Sequence, residues 1–252
     1  MQRDRLIFIP TYNESANARA MYEKLIELNL DADILFIDDN SPDGTGKILD
    51  EVAAGDNRVT VIHRQGKEGI GTAHLQGINW AYEHGYTVLM SLDCDFTHRP
   101  EYFPDFLAIQ DTCDLVMASR YMGLESLSEW NLYRKALTQI GHVLTKLMLR
   151  MDYDATTSFR LYRLDRIPQS VFNNVTSRGY AFFFESVYFM HLCGVRIREV
   201  PVVLPARALG NSKMGLDEIV ASLKQLLTLY VRGSAVKRRV TKQQNRSVSL
   251  VP

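Results

Sequence analysis

The chain has 252 residues, 46% hydrophobic and 23% charged, which suits one α/β domain, or one such domain plus a small appendage, with a sizeable core, and excludes a chain disordered as a whole. Its 29 basic and 29 acidic residues cancel, so no global positive field favours a nucleic acid or another polyanion. Cys94, Cys113 and Cys193 lie far apart with no CxxC pair; neither a zinc site nor a disulfide framework is indicated, and a reducing cytosol fits.

The first strand starts so early that no cleaved leader is expected before it, and no run of about 18–20 apolar residues marks a membrane span. Leu6-Ile7-Phe8-Ile9, closed by Pro10, reads as a buried parallel strand. Helical spacing follows over 17–28, with Met21, Leu25 and Leu28 on one side. A second buried strand over 34–37 runs into the polar turn Asp38-Asp39-Asn40-Ser41-Pro42-Asp43-Gly44. A helix over 45–54, a strand over 59–62, a helix over 69–84 and a strand over 87–92 come next. This alternation predicts an open, mostly parallel sheet with helices on both faces. Ligands bind such sheets at the carboxyl ends of the strands. Tyr12 to Glu14, Asp38, Asp39, Asp93 and Asp95 all fall there. Beyond Pro100 the pattern predicts a helix over 103–109, a strand over 115–118, a long basic and leucine-rich helix over 131–150, a buried aromatic helix over 180–193, a strand over 196–203 and a last helix over 215–231. From Arg232 onward the chain carries basic residues and no acidic ones.

Asp93-Cys94-Asp95 places two carboxylates one residue apart at the end of an apolar strand, where alternation would point both the same way if the strand geometry persisted. Such a pair is either a solvated turn or a seat for a hard divalent cation bridging a diphosphate, and like charges this close need neutralising. Asp38 and Asp39 read equally as turn chemistry or as a carboxylate for the base or ribose of a nucleotide. The first turn, Pro10-Thr11-Tyr12-Asn13-Glu14, has no glycine, while Gly66, Gly69 and Gly71 follow the third strand; with no Walker lysine loop either, the dehydrogenase and P-loop readings fail. The six histidines form no spaced ligand set, although His98 stands just after the carboxylate pair. Glu185, amid Phe182, Phe183, Phe184 and Tyr188, needs a partner if buried and reads as a structural group, an arginine partner or a sugar contact.

Several segments in order resemble the family 2 glycosyltransferases of GT-A fold, and within them the dolichol- or polyprenyl-phosphate mannosyltransferases. They are Pro10-Thr11-Tyr12-Asn13-Glu14, the run from Asp38 to Thr45, Gly69-Ile70-Gly71-Thr72-Ala73, Asp93-Cys94-Asp95, Ser119-Arg120, Thr157-Ser158-Phe159-Arg160, and Glu199-Val200-Pro201 followed by Arg207 and Gly210-Asn211-Ser212-Lys213. The resemblance implies a GT-A catalytic domain over 1–214, followed by an amphipathic helix and basic tail over 215–252. It implies a nucleotide pocket for GDP-mannose formed by Pro10, Tyr12, Glu14, Ile37 and Asp39. Asp93 and Asp95, with Thr97 nearby and Cys94 between them, would hold Mg2+ or Mn2+ against the diphosphate. Arg120, Arg207 and Lys213 would contact phosphates, and Arg134, Thr138, Ser158 and Arg160 would meet the phosphate of a polyprenyl acceptor. Three positions depart from the family pattern: Cys94 replaces alanine, Thr97 a residue such as glutamine, and Thr157 a glycine, the last raising the question of the local backbone.

The implied reaction is transfer of mannose to the lipid phosphate with inversion at C1. Its setting would be the cytoplasmic face of a membrane, where the chain is peripheral, alone or through a membrane-anchoring protein, with 131–150 as an interfacial helix. Two alternatives stay open on the residues: another donor such as UDP-glucose, and a non-catalytic subunit of a membrane glycosyltransferase complex.

Overall fold

The computed structural model describes residues 3–123, 132–204 and 215–248. In chain order its first half contains β1 (Arg5–Thr11), α1 (Ala18–Glu27), β2 (Asp33–Asp38), α2 (Thr45–Gly55), β3 (Val59–His63), α3 (Ile70–Glu83) and β4 (Val88–Ser91). The second half adds α4 (Phe103–Ile109), β5 (Leu115–Ser119), α5 (Leu132–Leu149), β6 (Arg160–Arg163), α6 (Ala181–Leu192), β7 (Ile197–Pro201) and α7 (Leu216–Val248).

Alternation along the strands sorts the core into two layers. Leu6 and Phe8 of β1 share one face with Leu35, Ile37, Leu89 and Met117, and α3, α6 and the inner side of α7 cover it. Ile7 and Ile9 share the other with Phe36, Met90, Val116 and Leu161, under α1, α2 and α4. Both faces are apolar because both are covered, which is why the strands read as unbroken hydrophobic runs. The expected helices on both faces are therefore present.

Among the described residues, seven strands are ordered β3-β2-β1-β4-β6-β5-β7. β1 to β4 pair in parallel, and β7 joins β5 in parallel. β6 runs antiparallel between β4 and β5. No element was expected over 160–163, because Arg-Leu-Tyr-Arg is short and charged at both ends. The register opposes Ser91 to Arg160, so the start of β6 lies at the edge where β4 ends. That reversal brings the segment before β6 to the same edge as the carboxyl ends of the parallel strands. The last helix also runs past its expected end at Val231, continuing to Val248 after the apolar periodicity has stopped.

Candidate functional site

The turn after β2 is a template for the turn after β1. Asp38 is buried; it accepts from the Ser41 amide at 3.0 Å and the Ser41 hydroxyl at 2.5 Å. Ser41 Oγ in turn accepts the Asn13 amide at 2.9 Å, and Thr45 Oγ1 accepts the Glu14 amide at 2.9 Å. Asp43 completes the template by accepting the amides of Ser15 and Thr45, both at 3.0 Å. Asn13 and Asn40 take left-handed conformations with φ of 56° and 57°, which asparagine tolerates better than most residues. Of the two adjacent aspartates, Asp38 thus builds the turn and Asp39 is left for the edge.

Partial burial pushes Asp43 upward, but the hydrogen bonds from Thr45 and Ser15 outweigh it and hold the carboxyl at about 2. The folded value lies below the ordinary aspartate value of about 3.9. The stability it lends is therefore complete above that value and disappears as pH falls towards 2. Asp43→Asn is expected to be less stable than the parent protein at pH 7, with the gap in urea midpoints closing between about pH 5 and pH 2. A gap that stayed constant across that range would contradict the assignment.

Asp39 is buried, and Arg64, at the end of β3, donates to its Oδ1 at 2.5 Å. Burial raises the Asp39 pKa, and the Arg64 guanidinium pulls it partly back. Arg64 also donates to Thr72 Oγ1 at 2.6 Å and pairs with Glu68 at 3.0 Å. Tyr12 is half-buried with Lys67 Nζ 4.6 Å from its ring centroid, and Glu14 accepts from Asn17 Nδ2 at 2.8 Å. Pro10 is half-buried, whereas Ile37 is fully buried in the core beneath this edge.

β4 ends at Ser91, and the carboxylate pair follows Leu92 in the turn beyond it. Asp95 is buried and accepts the Thr97 amide at 3.1 Å. Between them Phe96 has φ of 57°, a left-handed conformation that is costly for a bulky side chain and concentrates at functional sites. His98 Nδ1 lies 3.4 Å from Asp93 Oδ2 and 3.4 Å from Ser158 Oγ. Burial lowers the His98 pKa, against the pull of Asp93 and Asp95. Ser91 Oγ donates to the Ser158 carbonyl at 2.8 Å, tying the start of β6 to the end of β4. Cys94 is buried and packs in the core, although β4 has ended at Ser91 and the residue lies in a turn rather than a strand.

Among the described residues no group of three or more His, Cys, Asp or Glu side chains is arranged to hold a metal alone. A divalent cation needing only one or two carboxylates, with substrate phosphates completing its shell, fits this donor set. The buried Thr97 hydroxyl has no hydrogen-bond partner among the described residues, leaving an oxygen beside the pair for such a ligand.

The expected phosphate-binding residues divide. Arg120, just past β5, is half-buried and donates to Asp154 through Nε at 2.7 Å and Nη2 at 2.5 Å, and to the Thr156 hydroxyl. The Asp154 carboxylate also accepts the Arg120 amide at 3.0 Å, and the Asp154 amide donates to Glu199 at 2.7 Å. Burial pushes Asp154 up, but Arg120 outweighs it and holds the carboxyl below its usual range. Arg160 is fully buried, and its guanidinium donates to the carbonyls of Thr157, Ala155 and Phe183 and to the hydroxyls of Tyr162 and Ser186. It holds the core rather than facing the edge, so the residue expected at an acceptor phosphate has its donors committed to the interior. Ser158 is buried beside His98. Thr138 lies on α5, its carbonyl accepting from Tyr121 Oη at 3.1 Å. The side chain of Arg134 and the whole of Arg207 and Lys213 lie outside the described residues. Thr157 is not among the positive-φ residues, so its departure from glycine costs nothing in the backbone.

Sequence reasoning passed over Arg64 and Asp154, and met Thr72 and Glu199 only as members of matching segments, without a role. Arg64 could have been found, since it follows β3 at the same edge as Asp39. Glu185 is buried and accepts the amides of Thr176 and Ser177 at 3.1 and 2.8 Å, which selects the structural reading among those open to it.

Residues 6–171 match the family described as glycosyl transferase family 2. The chain is 37% identical over 210 residues to the undecaprenyl-phosphate mannosyltransferase of Micrococcus luteus, covering 83% of this chain and 86% of that one. It is 33% identical over 237 residues to the polyprenol monophosphomannose synthase of Mycolicibacterium smegmatis, covering 93% and 89%. Among solved structures, the mannosyltransferase PcManGT of Pyrobaculum calidifontis, in complex with GDP-Man and Mn2+, superposes with a TM-score of 0.55 at 15% identity, covering 93% of this chain and 65% of that one. The mixed seven-stranded sheet is thus the GT-A fold of nucleotide-sugar transferases, and the chain belongs to glycosyl transferase family 2.

Proposed function

We propose that the chain transfers mannose from GDP-mannose to the phosphate of a polyprenyl lipid at a membrane surface. The observation that carries this reading is the gathering of Asp39, Asp93, Asp95, Ser158 and Arg120 along one sheet edge, in a chain whose relatives at 37% and 33% identity are named for that transfer. Asp39 and Tyr12 bind the nucleoside. Asp93 and Asp95, with Thr97, hold Mg2+ or Mn2+, which when bound supplies positive charge against the departing diphosphate.

The acceptor needs no general base. A phosphate monoester has its second pKa near 6 and is largely ionised at neutral pH. One of its oxygens forms the new bond to C1 as the bond from C1 to the diphosphate oxygen breaks, inverting the anomeric centre. Arg120, held in place by Asp154, supports the acceptor phosphate, with Ser158 and Thr138 beside it and Arg134, Arg207 and Lys213 adding positive charge. Catalysis rests on positioning and fixed charge.

No described helix is long and apolar enough to cross a membrane. The outer sides of α5 and α7 nevertheless expose Ile140, Val143 and Leu147, and Val220, Leu223 and Leu227, at helical spacing. Lys146, Lys224 and Arg232 flank these stripes, a pattern suited to an anionic lipid surface. The test is transfer of radiolabelled sugar from GDP-mannose to polyprenyl phosphate in vesicles, with UDP-glucose in parallel and with Mn2+, Mg2+ or EDTA. A β-linked lipid product from GDP-mannose alone is expected. Turnover of UDP-glucose instead would overturn the donor, and a retained anomeric configuration would overturn direct displacement.

A further inference from the structure

One side of α7 is exposed and apolar, but its other side is tied by hydrogen bonds towards the nucleotide edge. Gln225 donates to Glu185 Oε1 at 2.7 Å, and Glu218 accepts the Tyr180 amide at 3.1 Å. Glu185 grips the same loop from the α6 side through the amides of Thr176 and Ser177. The Arg178 carbonyl then accepts the Gly71 amide at 2.7 Å and the Thr72 amide at 3.3 Å, at the first turn of α3. Thr72 Oγ1 accepts from Arg64, and Arg64 donates to Asp39. The layers touch closely at both ends. A Cβ at Gly179 would collide with the Glu218 carboxylate, and one at Gly69, where φ is +102°, would lie 2.5 Å from the Arg178 carbonyl oxygen.

We propose that Gln225 and Glu185 are positioning residues for the donor site, transmitting the seating of α7 through the 176–180 loop and Thr72 to the Arg64–Asp39 pair. The proposal deepens the reading of Asp39 as a nucleotide contact and rests on it. The links from Gln225 to Glu185, from Gly71 to Arg178 and from Arg64 to Asp39 are polar contacts between segments distant in sequence. Those of Glu185 to Thr176 and Ser177 and of Arg64 to Thr72 are local, and Asp39 owes its orientation to an arginine that Thr72 holds from the other side. A shift of α7 therefore reaches the nucleotide without crossing the carboxylate pair or the Arg120 cluster.

The experiment measures GDP and UDP binding by calorimetry, and separate KM values for donor and acceptor, in the full chain. Gln225→Ala is expected to raise the donor KM and the Kd for the bound nucleotide by about 5- to 10-fold, with the acceptor KM unchanged. Gln225→Lys, which keeps a donor towards Glu185, is expected to restore both. Thr72→Val cuts the last link from the other side and is expected to give the same split, which keeps the test open if the α7 variants fold poorly. A lower Tm with unchanged Kd and donor KM in Gln225→Ala and Thr72→Val would overturn the proposal and leave a merely structural clamp. Asp39→Asn separates the two levels. If it weakens nucleotide binding while the Gln225 and Thr72 variants do not, the relay alone falls; if it has no effect on either nucleotide, the donor reading falls and the relay with it.

Discussion

Asp95→Ala is expected to lower kcat/KM for sugar transfer by at least about 100- to 1,000-fold, the range seen when a group stabilising a leaving anion is removed. The carboxylate is buried, with one oxygen on the Thr97 amide, so its loss removes both the negative charge proposed to hold the divalent cation and a brace of the strained Phe96 turn. Asp95→Asn separates these effects, since the amide oxygen can still accept from Thr97 while the charge is gone. If charge is what matters, Asn behaves like Ala, and in both variants the remaining transfer no longer responds to Mn2+ or Mg2+. A variant that transfers within threefold of the parent would remove Asp95 from the reaction.

The second large effect is on stability. Arg160→Met should destabilise the fold by at least about 3 kcal/mol, because three buried carbonyls lose their donor at about 1–3 kcal/mol each. The guanidinium reaches those carbonyls at 2.8 Å for Thr157, 3.1 Å for Ala155 and 2.8 Å for Phe183, and a methionine fills the volume without replacing a hydrogen bond. For a chain of this size that corresponds to a fall in Tm of roughly 6–12 °C. Urea unfolding at neutral pH measures it directly. Unchanged stability together with a raised acceptor KM would return Arg160 to the acceptor site.

Arg160 also shows where reading the sequence stops being enough. The parallel half was legible because Leu6 to Ile9, Ile34 to Ile37 and Val88 to Leu92 are uninterrupted apolar runs, each ending in polar residues at the ligand edge. β6 escaped because an arginine at a strand start reads as a surface charge; only its five buried acceptors, spread from Ala155 to Ser186, make it a core residue. The same reason hid Asp154, whose meaning lies in Arg120, 34 positions away. Glu185 was legible in part: burial among aromatics demanded partners, but not which ones. His74 is the harder case. It sits between Phe8, Phe182 and Phe183 with centroids 5.0–5.3 Å away, and neither ring nitrogen has a partner among the described residues. Burial lowers its pKa to about 3 and keeps the ring neutral, which no local pattern announces.

The antiparallel placement of β6 has a consequence for how the chain is made. β1 to β4 can assemble from consecutive sequence, but the free side of β4 is closed only by β6, so residues 92–159 must be synthesised first. At roughly 5–20 residues per second a ribosome takes about 3–14 seconds over that stretch. Through that interval the nascent protein carries an apolar, unpaired strand flank, the kind of surface that recruits neighbouring chains. Holding factors that act during translation, rather than after release, are the ones from which this enzyme stands to gain yield.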